Sequence, residues 1–178
     1  VKITMKKINR RNIIKKSLQL VFLASISQPI LILSAKAQNK FSKANMIIIW
    51  KRKRKMSLFY NRTLIKTYTI RLGFNPIGHK QREGDGKTPE GRYFITHHNP
   101  NSAYHKSLGI SYPNSEDRAN ALKKKVSPGS DIFIHGGPKN IFTHFFRDWT
   151  GGCIAVFDNE IEEIYNLVPD GTVVYIYS

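Results

Sequence analysis

Met46-Ile47-Ile48-Ile49-Trp50, Lys51-Arg52-Lys53-Arg54-Lys55 and Met56-Ser57-Leu58-Phe59-Tyr60 follow one another without a break. Two runs of strand formers flank five consecutive cations, which is the pattern of a β-hairpin with a solvated, charged tip. Asn61-Arg62 predicts a second turn, and Leu64-Ile65-Lys66-Thr67-Tyr68-Thr69-Ile70-Arg71-Leu72 alternates in part with period two, adding a third strand to form a meander.

Outward from this meander, Gly73 to Arg92 is rich in glycine and proline and predicts a long ordered turn. Gly86-Lys87-Thr88 imitates the end of a phosphate loop, but no glycine stands five positions earlier and Pro89 blocks the helix that should follow, so a nucleotide site is excluded. Arg92 to Ile95 resumes a strand. Thr96 to Asn114 is a polar stretch holding His97, His98 and His105 without an acidic ligand or a zinc spacing, so these histidines read as surface or hydrogen-bonding groups. A short helix over Ser115 to Lys124 is predicted with Ser115 as its cap. A second helix is predicted with Asn159 as cap and Glu162 closing a capping box, and Thr172 to Tyr177 forms a last strand. Many short strands with few helices predict a mainly β, mainly antiparallel fold.

The 178 residues fit one catalytic-sized domain, and 40% apolar residues exclude a disordered chain. The net charge of +17 is unevenly placed. Residues 1–37 carry 8 Lys/Arg and no acids, 38–82 carry 12 and no acids, and 83–178 carry 9 against 12 Asp/Glu. The basic start, the apolar stretch from Leu18 to Leu33 and the small residues of Ser34-Ala35-Lys36-Ala37 read as an export signal cleaved after Ala37. Residues 38–45 then form a short linker and 46–178 the domain. An exported basic protein meets anionic membrane or wall polymer rather than nucleic acid, so no nucleic-acid partner is expected.

Cys153 is the only cysteine, which rules out an intrachain disulfide or a site of several thiolates. It follows Thr150-Gly151-Gly152. A thiol nucleophile needs a base, and an acyl oxyanion needs backbone N–H donors, which Gly152 and Cys153 can offer to a closely approaching carbonyl. Asp131-Ile132-Phe133-Ile134 is a predicted strand that delivers His135 at its end, and the loop of Gly137 to Trp149, with a short helical turn from Ile141 to Phe146, can bring Cys153 back to it. The same residues also permit an inert core thiol beside a capped strand end.

His135, the fourteen residues Gly136 to Trp149, and Thr150-Gly151-Gly152-Cys153 resemble the active-site signature of bacterial L,D-transpeptidase catalytic domains. Gly84-Asp85-Gly86-Lys87-Thr88-Pro89-Glu90-Gly91 resembles the family's second hallmark, and the segment from Asn99 to Asn114 its substrate side. The resemblance implies two sheets packed as a sandwich around the cysteine loop. It implies Cys153 as a nucleophile forming a thioester with a peptidoglycan stem peptide, His135 as base, Gly152 and Cys153 as oxyanion donors, and Thr150, Gly151 and Gly136 shaping the site. Many members have His at Gly151, Ser at Gly136, and Arg or Asn at Ala155. A monomeric, exported acyltransferase of the periplasm or cell envelope, without metal or organic cofactor, is expected. A hydrolase using the same pair, an L,D-carboxypeptidase or endopeptidase, and an inactive basic wall-binding module are the alternatives. A depressed thiol pKa is expected of the enzyme.

Overall fold

The computed structural model describes residues 43–138 and 147–178. The export signal, most of the linker and the turn expected from Ile141 to Phe146 lie outside these residues. Among the described residues the elements run in the order β1 (Met46–Trp50), β2 (Lys55–Tyr60), β3 (Thr63–Thr69), β4 (Gly91–Ser102), β5 (His105–Ile110), α1 (Ser115–Lys123), β6 (Phe133–His135), β7 (Ile154–Ala155), α2 (Asp158–Leu167) and β8 (Val173–Tyr177). The expected meander is present as β1 to β3, antiparallel throughout.

All eight strands join one mixed sheet in the order β3-β2-β1-β8-β4-β5-β6-β7. The two halves of the expected sandwich are continuous through β4. Its first residues, Gly91 to Phe94, pair with β8, and the remainder from Ile95 pairs with β5. Beyond β3, Arg71 and Ala155 exchange two backbone hydrogen bonds of 2.9 Å, and Gly73 bridges Thr150, so the chain after the first sheet edge meets the last strand. Five of the pairings are antiparallel, while β1 with β8 and β6 with β7 are parallel.

The core lies between the two halves of this folded sheet. Ile47, Ile49, Met56 and Leu58 enter it from the meander, Ile95, Leu108, Ile134 and Ile154 from the other half, and Ile161 and Ile164 from α2. Burial of each such side chain contributes roughly 1.5–3 kcal/mol. The i, i+3 spacing of Ile161 and Ile164 is the core stripe read from the sequence. Ala44, within the expected linker, is also buried, and its amide donates to Leu167 O at 2.7 Å.

The polar stretch from Thr96 to Asn114, to which the sequence reading assigns no element, forms strands. It holds most of β4 and all of β5, a hairpin turned at Ala103-Tyr104. One face of these strands packs under α2 and carries polar partners for it and for the turn after it, Lys106 with Glu162 and His98 with Asp170, which hid the strand pattern. Both helices start earlier than expected. Asn114 caps α1 by accepting from Asp117 N at 2.9 Å, and Asp117 returns a bond from Asn114 N. In α2 it is Glu160 that accepts from Phe157 N, at 2.9 Å.

Candidate active site

Two short parallel strands set the site. In β6 and β7, Ile134 pairs with Ile154 and His135 with Ala155, so both isoleucines point to the core. Side chains alternate along strands, which places His135 and Cys153 together on the opposite face, two positions apart along the ladder. On that face β5 and β4 align Gly109 and His97 with Phe133, and Ser107 and Asn99 with His135. β6 and β7 pair, so the chain directly after Cys153 runs beside the strand that ends in His135.

His135 is buried, and its Nδ1 lies 2.6 Å from Gly136 O. A carbonyl only accepts, so Nδ1 carries the proton and Nε2 the lone pair. Burial lowers the imidazole pKa more than this hydrogen bond raises it. The Cys153 thiol donates to Asp131 O at 3.4 Å. Burial pushes it up, the Phe133 backbone opposes that, and Asp131 adds to it. The expected depressed thiol is therefore absent. The resting pair is a neutral thiol and a neutral imidazole with Nε2 free to take a proton.

The residues before the thiol have divided tasks. Thr150 Oγ1 donates to Cys153 O at 2.7 Å and accepts from Gly152 N at 3.1 Å, closing a tight turn. The Gly152 amide expected at an oxyanion is therefore engaged by Thr150, because that hydroxyl reaches it first. Gly152 has φ +142°, and a Cβ there would stand 2.7 Å from Lys87 O, so only glycine fits. Gly151 has no atom within 4 Å of the same position. At Gly136 a Cβ would approach Asp158 Oδ1 to 2.5 Å, and that carboxylate accepts from Gly137 N at 2.7 Å. A residue larger than glycine at 136 is excluded by α2.

Residues 44–176 match the YkuD family, the L,D-transpeptidase catalytic domain. The chain belongs to this family. It is similar to YafK of Escherichia coli (strain K12), by name a candidate L,D-transpeptidase, at 32% identity over 133 residues, covering 71% of this chain and 48% of YafK. It is also similar to a mutant of the helical cell shape determining protein Pgp2 from Campylobacter jejuni, at 26% identity and TM-score 0.60, covering 77% of this chain and 48% of Pgp2. Bdellovibrio bacteriovorus Bd1075 matches at 25% identity and TM-score 0.56, over 78% and 49% of the two chains. The chain thus spans about half the length of the curated relatives it matches. Membership supports a peptidoglycan-related function.

Around its cysteine this YkuD domain carries a frame that the sequence reading missed. The five-cation tip is only partly solvated. Lys51 is 2% exposed, and its Nζ donates to Gly78 O, Thr88 O and Glu90 Oε1 at 2.6, 2.7 and 2.9 Å. Arg54 forks onto Asp148. Arg52, Lys53 and Lys55 are exposed, as the solvated reading expects. In the glycine-rich turn, burial would raise the Asp85 carboxyl, but the amides of Gln81, Lys87 and Arg82 and the Lys80 ammonium hold it at about 2. No pattern of spacing signals such side-chain to backbone bonds.

An aromatic wall shields the histidine of the YkuD site. Tyr104, from the β4–β5 turn, stacks on His135 at 4.6 Å between centroids, and Trp149 stands edge-on at 5.7 Å. The position of Trp149, directly before Thr150, is the one sequence signal that pointed to it. The three histidines of the polar stretch have separate partners. His98 pairs with Asp170, His105 with Glu162, and His97 lies edge-on to Phe133 at 5.7 Å. Among the described residues no three His, Cys, Asp or Glu side chains converge as metal ligands. A cleft of about 370 Å³ opens over the same face between β4, β5, β6 and the start of α1.

Proposed function

We propose that the domain is an exported cysteine acyltransferase acting on peptidoglycan stem peptides. The observation that carries this reading is the tautomer of His135: Nδ1–H held by Gly136 O leaves Nε2 as a base on the face shared with Cys153. As a donor peptide binds, the Cys153 proton passes to Nε2 while sulfur attacks the scissile carbonyl. With Gly152 N–H engaged by Thr150, the Cys153 N–H is the donor left for the oxyanion. Collapse of the tetrahedral species breaks the C–N bond, the leaving amine takes the proton from Nε2, and a thioester remains on Sγ. An acceptor amine then gives its proton to Nε2 and attacks the thioester, releasing the thiol and a new peptide bond.

The basic start and apolar stretch of residues 1–37 support an envelope location, and family membership supports the substrate class. Intact-protein mass spectrometry with a stem peptide and with a carbapenem tests the reading. Wild type should gain one acyl mass on Cys153, and Cys153→Ser should fold and gain none. Product analysis separates the acceptors: a cross-linked peptide supports transfer, whereas a shortened peptide alone means that water is the acceptor. Acylation of the serine variant would sink the mechanism.

A further inference from the structure

A second cleft, of about 670 Å³, lies where β8 and the start of β4 meet α1, and it shares no lining residue with the cleft over the face of Cys153. One wall is aromatic. Val174 and Ile176 of β8 point into the core, so Tyr175 and Tyr177 share the outer face of that strand. Their rings lie within 7° of parallel, with centroids 6.3 Å apart. Two parallel rings side by side form a flat apolar strip whose phenol edges still hydrogen-bond.

Part of the polar lining is saturated. His79 Nδ1 accepts from Glu90 N at 2.9 Å, His79 Nε2 stands 3.0 Å from Asp117 Oδ1, and Tyr93 donates to Asp117 Oδ2 at 3.0 Å. Arg92, Glu116 and Asn120 also line the cleft and are exposed. Among the described residues their side chains hold no hydrogen bond or ion pair, and the Arg92 guanidinium rests on the Phe94 ring, 4.8 Å from its centroid. A donor, an acceptor and an amide that is both, set around an aromatic strip, match a ligand with hydroxyls, amides and a flat apolar face. A pyranose with an N-acetyl group has all three. A simple ion would be attracted by one of Arg92 and Glu116 and repelled by the other.

α1 is the ridge between the two clefts: Glu116 and Asn120 line this one, and Arg118 lines the one over the face of Cys153. A helix is roughly 10 Å across, a span that three extended residues cover at ~3.3 Å each. A sugar held on one side of α1 can therefore carry a peptide whose later residues enter the cleft on the other.

We propose that this second cleft binds the glycan backbone of peptidoglycan, with an N-acetylated sugar stacked on Tyr175 and Tyr177 and hydrogen-bonded by Arg92, Glu116 and Asn120, while its stem crosses α1 toward Cys153. The proposal rests on the peptidoglycan reading above and adds the part of the polymer that holds the domain in place. The sugar is not a reactant, so the cleft sets affinity for the polymer and not the chemistry at sulfur.

The test titrates the full chain with a tetramer of N-acetylglucosamine by calorimetry, and follows Cys153 acylation by a free stem peptide and by glycan strands bearing the same stem. The tetramer should bind wild type. Tyr177→Ala and Asn120→Ala should each weaken it roughly 2- to 10-fold, the scale of a lost aromatic face or neutral hydrogen bond, while Tyr177→Phe keeps the ring and most of the affinity. The alanine variants should raise KM on glycan strands with kcat unchanged, and should leave acylation by the free peptide as in wild type. Absence of tetramer binding, or alanine variants that melt and bind as wild type does, overturns the proposal. So does an equal loss on the free peptide and on glycan strands, which would make the cleft a peptide site. The tetramer titration involves no turnover, so it decides the cleft even where the peptide leaves Cys153 unacylated.

Discussion

Arg54 holds Asp148 by two parallel hydrogen bonds, Nε to Oδ1 at 2.8 Å and Nη2 to Oδ2 at 2.6 Å, and so fastens the tip of the first hairpin to the chain five residues before Cys153. Asp148 Oδ1 also accepts from Leu72 N at 3.0 Å, which draws in the segment that bridges Thr150. Both side chains are mostly buried, so removing one leaves the other charge without its partner. Arg54→Ala should cost about 3 kcal/mol in urea unfolding. Arg54→Lys keeps the charge but not the fork, and should recover only part of that loss. Slower acylation of Cys153 in both variants, beyond the fraction unfolded, is the expected functional readout.

The pH response of the neutral pair has a defined sign. Burial raises the Cys153 thiol, so its alkylation by iodoacetamide should rise with an inflection above ~8.5, the ordinary thiol value. Burial lowers His135, so acyl transfer should reach its acid half-point below ~6.5. His135→Ala should erase that acid limb and slow transfer roughly 10²–10⁴-fold. A thiol that alkylates with an inflection near neutrality would instead mean a resting thiolate and imidazolium.

Adjacent glycines should answer differently to the same substitution. Gly151→Ala meets no atom within 4 Å and should change stability by no more than about 0.5 kcal/mol. Gly152→Ala places a Cβ against Lys87 O at a positive φ and should cost about 3 kcal/mol, with loss of the turn that presents Cys153. Thermal melts of the two variants, run side by side, measure the contrast. Similar melting points would remove the structural reason for a glycine directly before the cysteine.

Asp85 ties acid sensitivity to the glycine-rich turn. Its carboxyl sits at about 2 in the fold, against ~3.9 in an unfolded chain. The unfolded state therefore binds the proton first as pH falls, and the stability that Asp85 contributes is full above pH ~4 and declines from there toward about 2. Asp85→Asn should be less stable than wild type at neutral pH, with the gap in urea midpoint closing over that acid window. A constant gap would assign the loss to the geometry of the turn and not to its charge.

Runs of strand formers were legible in the sequence, which is why β1 and β2 lie within a residue of their expected places, while β3 ends at Thr69, three residues short of the expected Leu72. The β4–β5 hairpin was not, because His98 and Lys106 face polar groups of α2 and its neighbouring loop, and a polar residue with a partner looks like loop composition. The Cys153–His135 juxtaposition was legible because a strand end, a loop and a glycine turn are local signals. What Lys51, Arg54 and Tyr104 do was not, since each depends on residues 27 or more positions away that only the folded sheet brings near. The extent of Lys51 burial runs against every compositional prior for lysine.

The two bonds between Arg71 and Ala155 close the outer edge of the short strand that follows Cys153, and β6 closes its inner edge. No row of open amides and carbonyls remains along that strand for an incoming peptide to extend the sheet. Under the proposed function, a stem peptide would therefore descend onto the sheet's surface and be read by its side chains. That mode of entry suits chains of mixed L and D residues, whose alternating handedness would spoil a regular ladder but does not hinder a group-by-group fit from above.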